Sequence, residues 1–168
     1  PMLLPQQSLV AVPRLAFNLA QSPPDWRALL PVRMMLQSMD AAFFARQNLE
    51  HLPSAAGWVR SFWPDITSFE ARGLGFALLD GPTVASWALS VYAGEAALAS
   101  GGETAVSHRG QGLATVAAAA CLEACAAQNL VPHWQCDESN TPSVRLAARL
   151  GFAVQRRYTD YRFLFPAE

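Results

Sequence analysis

The sequence predicts a mixed α/β or α+β fold: a single domain over residues 1–168, built on one mixed, mostly antiparallel sheet flanked by helices. Three observations carry this. Between Gly75 and Val106, apolar residues alternate in three runs separated by turn residues, which reads as an antiparallel meander. From about Gly112 to Gln128 an alanine-rich stretch is long enough for a helix, and its small side chains suit close packing on a sheet. Beyond it, Val131 to Cys136, Thr141 to Leu150 and the run from Phe152 follow as strand, helix and strand.

The elements follow in order. The first forty residues are punctuated by Pro5, Pro13, Pro23, Pro24 and Pro31; the short apolar runs between them, such as Leu15 to Phe17 and Val32 to Leu36, give no assignment. Asp40 caps a helix extending to Leu52, on the spacing of Phe43, Phe44, Gln47 and Leu52. A second short helix spans Ala55 to Trp63 and ends at Pro64, with Trp58, Phe62 and Trp63 packing it on a core. Gly75 to Leu79 is a strand and Asp80-Gly81-Pro82 a turn. Thr83 to Tyr92 is a strand centred on Trp87, and Ala96 to Val106 follows. In that third strand Gly101-Gly102 predicts a bulge or a close backbone approach. The long helix stops at Asn129 in a left-handed turn. Pro132 stands at the start of the next strand. Asn140 precedes the second helix and Gly151 ends it. Phe152 to Tyr158 and Tyr161 to Phe165 read as two closing strands.

Composition narrows the function. Of 168 residues 52% are apolar and 15% charged, which excludes a disordered chain. The net charge of −1 gives no basic excess for nucleic acid and no polybasic cluster for a membrane surface. All twelve basic residues are Arg. Lysine Schiff-base chemistry and a Walker A phosphate loop are therefore excluded, since both need a lysine amine. Three Cys make a poor disulfide scaffold and suit a reducing compartment. Cys121, Cys125, His133 and Cys136 match no zinc spacing, so no metal is expected. The N-terminal stretch, with no positive start and with Pro5 and Pro13, is a poor signal peptide, and no apolar run reaches spanning length. The expected location is cytoplasmic.

The sharpest feature is His108-Arg109-Gly110-Gln111-Gly112-Leu113-Ala114, between a strand and a long helix. Two glycines let successive N–H groups turn into one concavity, and the helix N-terminus adds unsatisfied N–H groups and positive dipole. This makes a phosphate or pyrophosphate site from backbone, with Arg109 adding charge. Arg72-Gly73-Leu74-Gly75-Phe76-Ala77 repeats the spelling but leads into a strand, so it makes no anion site. A dinucleotide-binding reading of Gly110-x-Gly112-x-x-Thr115, with Asp137 on the ribose, fails at its third position, which is Thr, and falls late in the chain.

These residues resemble the motif of the GNAT N-acetyltransferase superfamily, Arg/Gln-x-x-Gly-x-Gly/Ala between a strand and a helix, in Arg109-Gly110-Gln111-Gly112-Leu113-Ala114. A second family signature, an Asn before a helix ending in Leu-Gly-Phe, is similar to Asn140-Thr141-Pro142-Ser143 followed by Leu150-Gly151-Phe152. The surrounding Glu103-Thr104, Pro132-His133-Trp134 and Cys136 resemble a bacterial GNAT acetyltransferase subgroup. The resemblance covers residues 73–165 as an acyl-CoA-binding core, with residues 1–70 placed no further than two helices.

The resemblance implies a GNAT-like fold with splayed middle strands and acetyl-CoA as cosubstrate. Backbone N–H groups of Gly110, Gln111, Gly112, Leu113, Ala114 and Thr115 would hold the pyrophosphate. The strand edge at Thr104 would pair with the pantetheine arm, and Asn140 and Ser143 would touch that arm or brace the splay. The partner would be a small-molecule or peptide amine attacking the thioester directly. An alkylammonium of pKa about 10 must first lose a proton, which assigns a carboxylate base; Glu103 is the candidate and Glu95 the runner-up. The helix Tyr that many members use to protonate the leaving thiolate is matched by Ala147. Tyr158 and Tyr161 read as sheet residues, Cys136 as core, and His108 as surface. Two alternatives stay open: an acyl-CoA-binding module without turnover, and a transferase for a longer acyl-CoA.

Overall fold

A computed structural model describes residues 8–93 and 97–164 of the chain. Thirteen elements follow one another: β1 (Ser8–Leu19), α1 (Trp26–Leu29), β2 (Met35–Ser38), α2 (Ala41–Phe44), α3 (Leu52–Phe62), α4 (Ile66–Arg72), β3 (Gly75–Asp80), β4 (Thr83–Ala93), β5 (Ala97–Thr104), α5 (Leu113–Ala127), β6 (Val131–Asp137), α6 (Thr141–Arg149) and β7 (Phe152–Leu164). The strands form one sheet in the order β2-β3-β4-β5-β6-β1-β7. Every pair is antiparallel except β5 with β6. This is the mixed, mostly antiparallel sheet that the sequence predicts.

The unreadable N-terminal stretch supplies an interior strand. β1 lies between β6 and β7 and pairs along nearly the whole of β7, from Ser8 with Leu164 to Leu19 with Phe152. That pairing runs β7 straight through Thr159-Asp160, so the two expected closing strands are one strand of 13 residues. Pro13 is tolerated because its backbone faces β6 and not β7, its carbonyl accepting from Glu138 N–H at 2.9 Å. The β6 ladder begins one residue later, at Arg14 with Asp137, so its missing N–H removes no ladder bond.

The expected helix from Asp40 to Leu52 is corrected to a single turn. Asp40 does cap it, its carboxylate accepting from Phe43 N–H at 2.7 Å. But Glu50 is extended and bridges the start of β4. Its N–H donates to Pro82 O at 2.9 Å and its carbonyl accepts from Val84 N–H at 3.0 Å. The expected second helix is α3, beginning earlier, at Leu52. α4, which the sequence reading did not assign, is capped by Asp65, whose carboxylate accepts from Ser68 N–H at 2.6 Å.

Helices pack on both faces, so there are two cores. On one face α5 covers β3 to β6. Its Ala117, Ala118, Ala119, Ala120 and Cys121 are all buried, because one side of the helix meets the sheet and the other is covered by α1. Arg27 of α1 closes that side with a bidentate bond to Glu123, at 2.7 and 2.8 Å. On the other face α2, α3 and α4 bury Phe43, Val59, Trp63 and Phe69 against Ala77, Val84, Trp87 and Leu89. Asn140 caps α6, its Oδ1 accepting from Ser143 N–H at 3.2 Å. Asn140→Ala is expected to cost about 1 kcal/mol, read as a lower urea midpoint at unchanged m-value.

Candidate active site

The site is made by a failure of pairing. β5 and β6 are parallel neighbours only at Ala97 with Val131, Leu98 with Pro132 and Ala99 with His133. Beyond that point β5 continues to Thr104 paired with β4 alone, and β6 continues to Asp137 paired with β1 alone. The two strands therefore splay toward their carboxyl ends, where parallel strands characteristically receive ligands. The N-termini of α5 and α6 follow those same two ends.

Alternation decides which groups face the gap. Ala105 N–H donates to Ala85 O on β4, at 2.9 Å. One residue back, the amide groups of Thr104 point the other way, into the splay, and so do those of Gly102. Thr104 O accepts from Arg109 Nε at 3.2 Å, which folds that guanidinium over the end of β5. The Thr104 hydroxyl meets Ser86 Oγ at 2.8 Å, and Ser86, itself buried, also donates to Glu103 O at 3.1 Å.

The two adjacent glycines of β5 allow two different close approaches. A Cβ on Gly101 would lie 2.6 Å from the Trp58 ring, and one on Gly102 would lie 2.6 Å from the Trp87 carbonyl oxygen.

The loop after β5 makes one tight turn, Val106 to His108, and then enters α5. Gly110 and Gly112 have φ of 77° and 78°, left-handed conformations that favour glycine. A Cβ on either would meet nothing within 4 Å. The space beside the loop is thus open to a ligand. No side chain caps α5, and the N–H groups of Gly110, Gln111, Gly112, Leu113 and Ala114 have no partner among the described residues. Thr115 departs from the expected set: its N–H is bonded to Gly112 O at 2.9 Å. Five donors in a row with open space before them fit an anion such as a pyrophosphate.

His108, expected at the surface, is half-buried. Its Nε2 lies 3.3 Å from Asp80 Oδ2, which Arg33 also reaches at 3.3 Å. Asp137, weighed above as a ribose ligand, is tied to Arg162 by bonds of 3.1 and 2.6 Å. That guanidinium holds its carboxyl below the usual range, and Arg14 also lies 3.2 Å from it, so the half-buried carboxylate is already taken by two arginines. In the repeated spelling, Gly73 ends α4 and Gly75 opens β3, with no helix N-terminus beyond them.

Glu103 is exposed on the α3 face of β5, opposite Trp87, and Ser54 Oγ donates to its Oε2 at 2.5 Å. Ser54 was invisible in the sequence; α3 is brought to β5 by long-range packing with no local signal. Glu95 lies outside the described residues. On α6, Ser143 Oγ accepts from Trp134 Nε1 at 3.1 Å, so Asn140 and Ser143 are joined both to each other and to β6. Ala147 is wholly buried and leaves no phenol on α6. Tyr158 donates to Gln135 at 2.8 Å on the sheet. Cys136 is buried, and desolvation pushes its thiol up, away from thiolate chemistry. Among the described residues no three His, Cys, Asp or Glu side chains converge as metal ligands, and no helix is long and apolar enough to cross a membrane.

Comparison with known proteins places this geometry. The chain is 30% identical over 132 residues to the uncharacterized N-acetyltransferase YdfB of Bacillus subtilis (strain 168), an alignment covering 79% of this chain and 49% of that protein. The chain thus spans about half the length of that relative. Among solved structures, a GCN5-related N-acetyltransferase-like protein from Streptococcus suis 89/1591 superposes with a TM-score of 0.73 at 25% identity, over 93% of this chain and 63% of that one. A GCN5-related N-acetyltransferase from Kribbella flavida shares the fold with a TM-score of 0.62 at 16% identity, over 96% of this chain and 61% of that one. The family model described as GNAT acetyltransferase matches residues 16–161, across the splay, the loop and both helices that enter it. This chain belongs to the GNAT acetyltransferase family.

Proposed function

We propose that this chain transfers an acetyl group from acetyl-CoA to an amine by direct attack on the thioester. The observation that carries the reading is the run of five free N–H groups from Gly110 to Ala114, set beside strands that open between Thr104 and β6. The pyrophosphate would sit on those N–H groups and on Arg109. The pantetheine amides would take the outward-facing N–H and C=O of Gly102 and Thr104, as an added strand takes a sheet edge. Arg109 would then leave Thr104 O for the phosphates. Asn140 and Ser143 would line the opposite wall, while Trp134 fixes the Ser143 hydroxyl.

Chemistry would occur on the Glu103 face. The amine nitrogen forms the new C–N bond, its proton goes to the Glu103 carboxylate directly or through water, and the C–S bond breaks. With Ala147 buried in place of a phenol, the sulfur would leave as thiolate, which a thiol of pKa about 8.5 permits. The acceptor is a small molecule or a peptide amine, and the expected setting is cytoplasmic. A longer acyl donor remains the second reading of the same gap; rates with acetyl- and octanoyl-CoA separate the two. A non-catalytic acyl-CoA-binding module would bind without releasing thiol.

Acetyl-CoA is expected to stabilise the fold. At a hundredfold excess over its Kd the gain is about 2.7 kcal/mol, several degrees in Tm by thermal unfolding, with no comparable shift from NADH. A shift with NADH and none with acetyl-CoA would overturn the assignment. Thiol release in the presence of an amine panel then separates transferase from binding module.

A further inference from the structure

The geometry points to Ser54 as a positioning residue for Glu103, an inference that rests on the base role proposed above. The contact is long-range: Ser54 is on the first turn of α3, and its hydroxyl donates to Glu103 Oε2 at 2.5 Å across 49 positions of chain. It is also registered. One helical turn on, Trp58 lies over Gly101, two residues before Glu103, where a Cβ would come within 2.6 Å of its ring. Four helix residues rise about 6 Å and two strand residues about 7 Å, so α3 and β5 keep step and Ser54 falls beside Glu103. Trp87, directly across the strand pair from Glu103, braces the arrangement by meeting the Trp58 ring edge-on at 5.5 Å.

A glutamate on an exposed strand position samples several rotamers. Among the described residues Ser54 is the side chain that bonds its carboxylate. A hydroxyl on Oε2 selects one rotamer and leaves Oε1 to accept the proton of the incoming amine. Ser54 touches neither donor nor acceptor; it acts by keeping the carboxylate where the proton is released.

Two measurements test this. In protein labelled with 13C-glutamate, the Glu103 carboxyl resonance is assigned by its loss in Glu103→Gln. Ser54→Ala is expected to move that resonance at neutral pH, and Ser54→Thr, which keeps the hydroxyl, to leave it in place. In turnover of acetyl-CoA with benzylamine, agmatine or a tetrapeptide bearing a free N-terminus, Ser54→Ala is expected to lower kcat about 3- to 30-fold. The KM for acetyl-CoA stays unchanged, and Ser54→Thr restores the rate. Added to Glu103→Gln, Ser54→Ala costs nothing further. A stationary resonance, or a loss that persists in the Glu103→Gln background, overturns the assignment of Ser54; if none of the three amines turns over, the resonance alone decides. Failure of the base reading looks different. Glu103→Gln would then be silent, whereas a slow Glu103→Gln beside a silent Ser54→Ala removes Ser54 alone.

Discussion

Glu103→Gln is expected to lower turnover by roughly 10²- to 10⁴-fold at neutral pH, with acetyl-CoA affinity barely changed. The substitution keeps the shape of the side chain, and Gln can still accept from Ser54, so α3 should stay docked on β5. What it removes is the proton acceptor. The size of the loss should depend on pH in one direction. Near neutrality an alkylamine of pKa about 10 is almost wholly protonated, and each turnover needs the base. As the pH approaches that pKa more of the amine arrives neutral, so the two pH–rate profiles should converge on the alkaline side. Parallel profiles of equal height would remove Glu103 from the mechanism, leaving Glu95 or a water-relayed base. The exposed position of Glu103 does not argue against the role, because the acceptor must reach it from solvent.

How far the sequence reveals this site depends on how local its signals are. The loop from Arg109 to Ala114, α5, α6 and their stops were all legible, because Gly112, Asn129, Asn140 and Gly151 act within a turn of where they stand. Gly112 and Asn129 do adopt the left-handed conformations that their positions suggest, with φ of 78° and 57°. The N-terminal strand was illegible for the opposite reason. Nothing in Ser8 to Leu19 announces that its neighbours are β6 and β7, more than a hundred residues away in sequence, and Pro13 argues against a strand until the end of the β6 ladder is known. The overlong helix after Asp40 follows from the spacing of Phe43, Phe44, Gln47 and Leu52, but Leu52 reaches the core from the start of α3, after the extended backbone at Glu50. Within the site, the glycine pair predicted close contact without saying with what. Trp58 and the Trp87 carbonyl come from two different layers, and tertiary packing alone brings them together at β5.

Gly112→Val is expected to abolish acetyl-CoA binding, by a factor of about 100 or more in Kd, while most of the fold survives. The position is made for a missing side chain. Its φ of 78° places it in a region costly for a β-branched residue, and a Cβ would project into open space beside the five free N–H groups, where the pyrophosphate is proposed to lie. Strain there should cost about 1–2 kcal/mol of stability, too little to unfold a domain of this size. Loss of ligand binding would therefore be read on folded protein, by calorimetry with acetyl-CoA after circular dichroism has shown the sheet and helices intact. Gly75→Val is the matched control. There a Cβ would press to 2.9 Å on Phe69 and 3.2 Å on Leu89 and Met39, so the damage falls on the core under β3. That variant should be less stable than Gly112→Val yet keep its intrinsic affinity for acetyl-CoA wherever it is folded. The reverse pattern, with binding lost in folded Gly75→Val and kept in Gly112→Val, would mean that the anion is held elsewhere than at the start of α5.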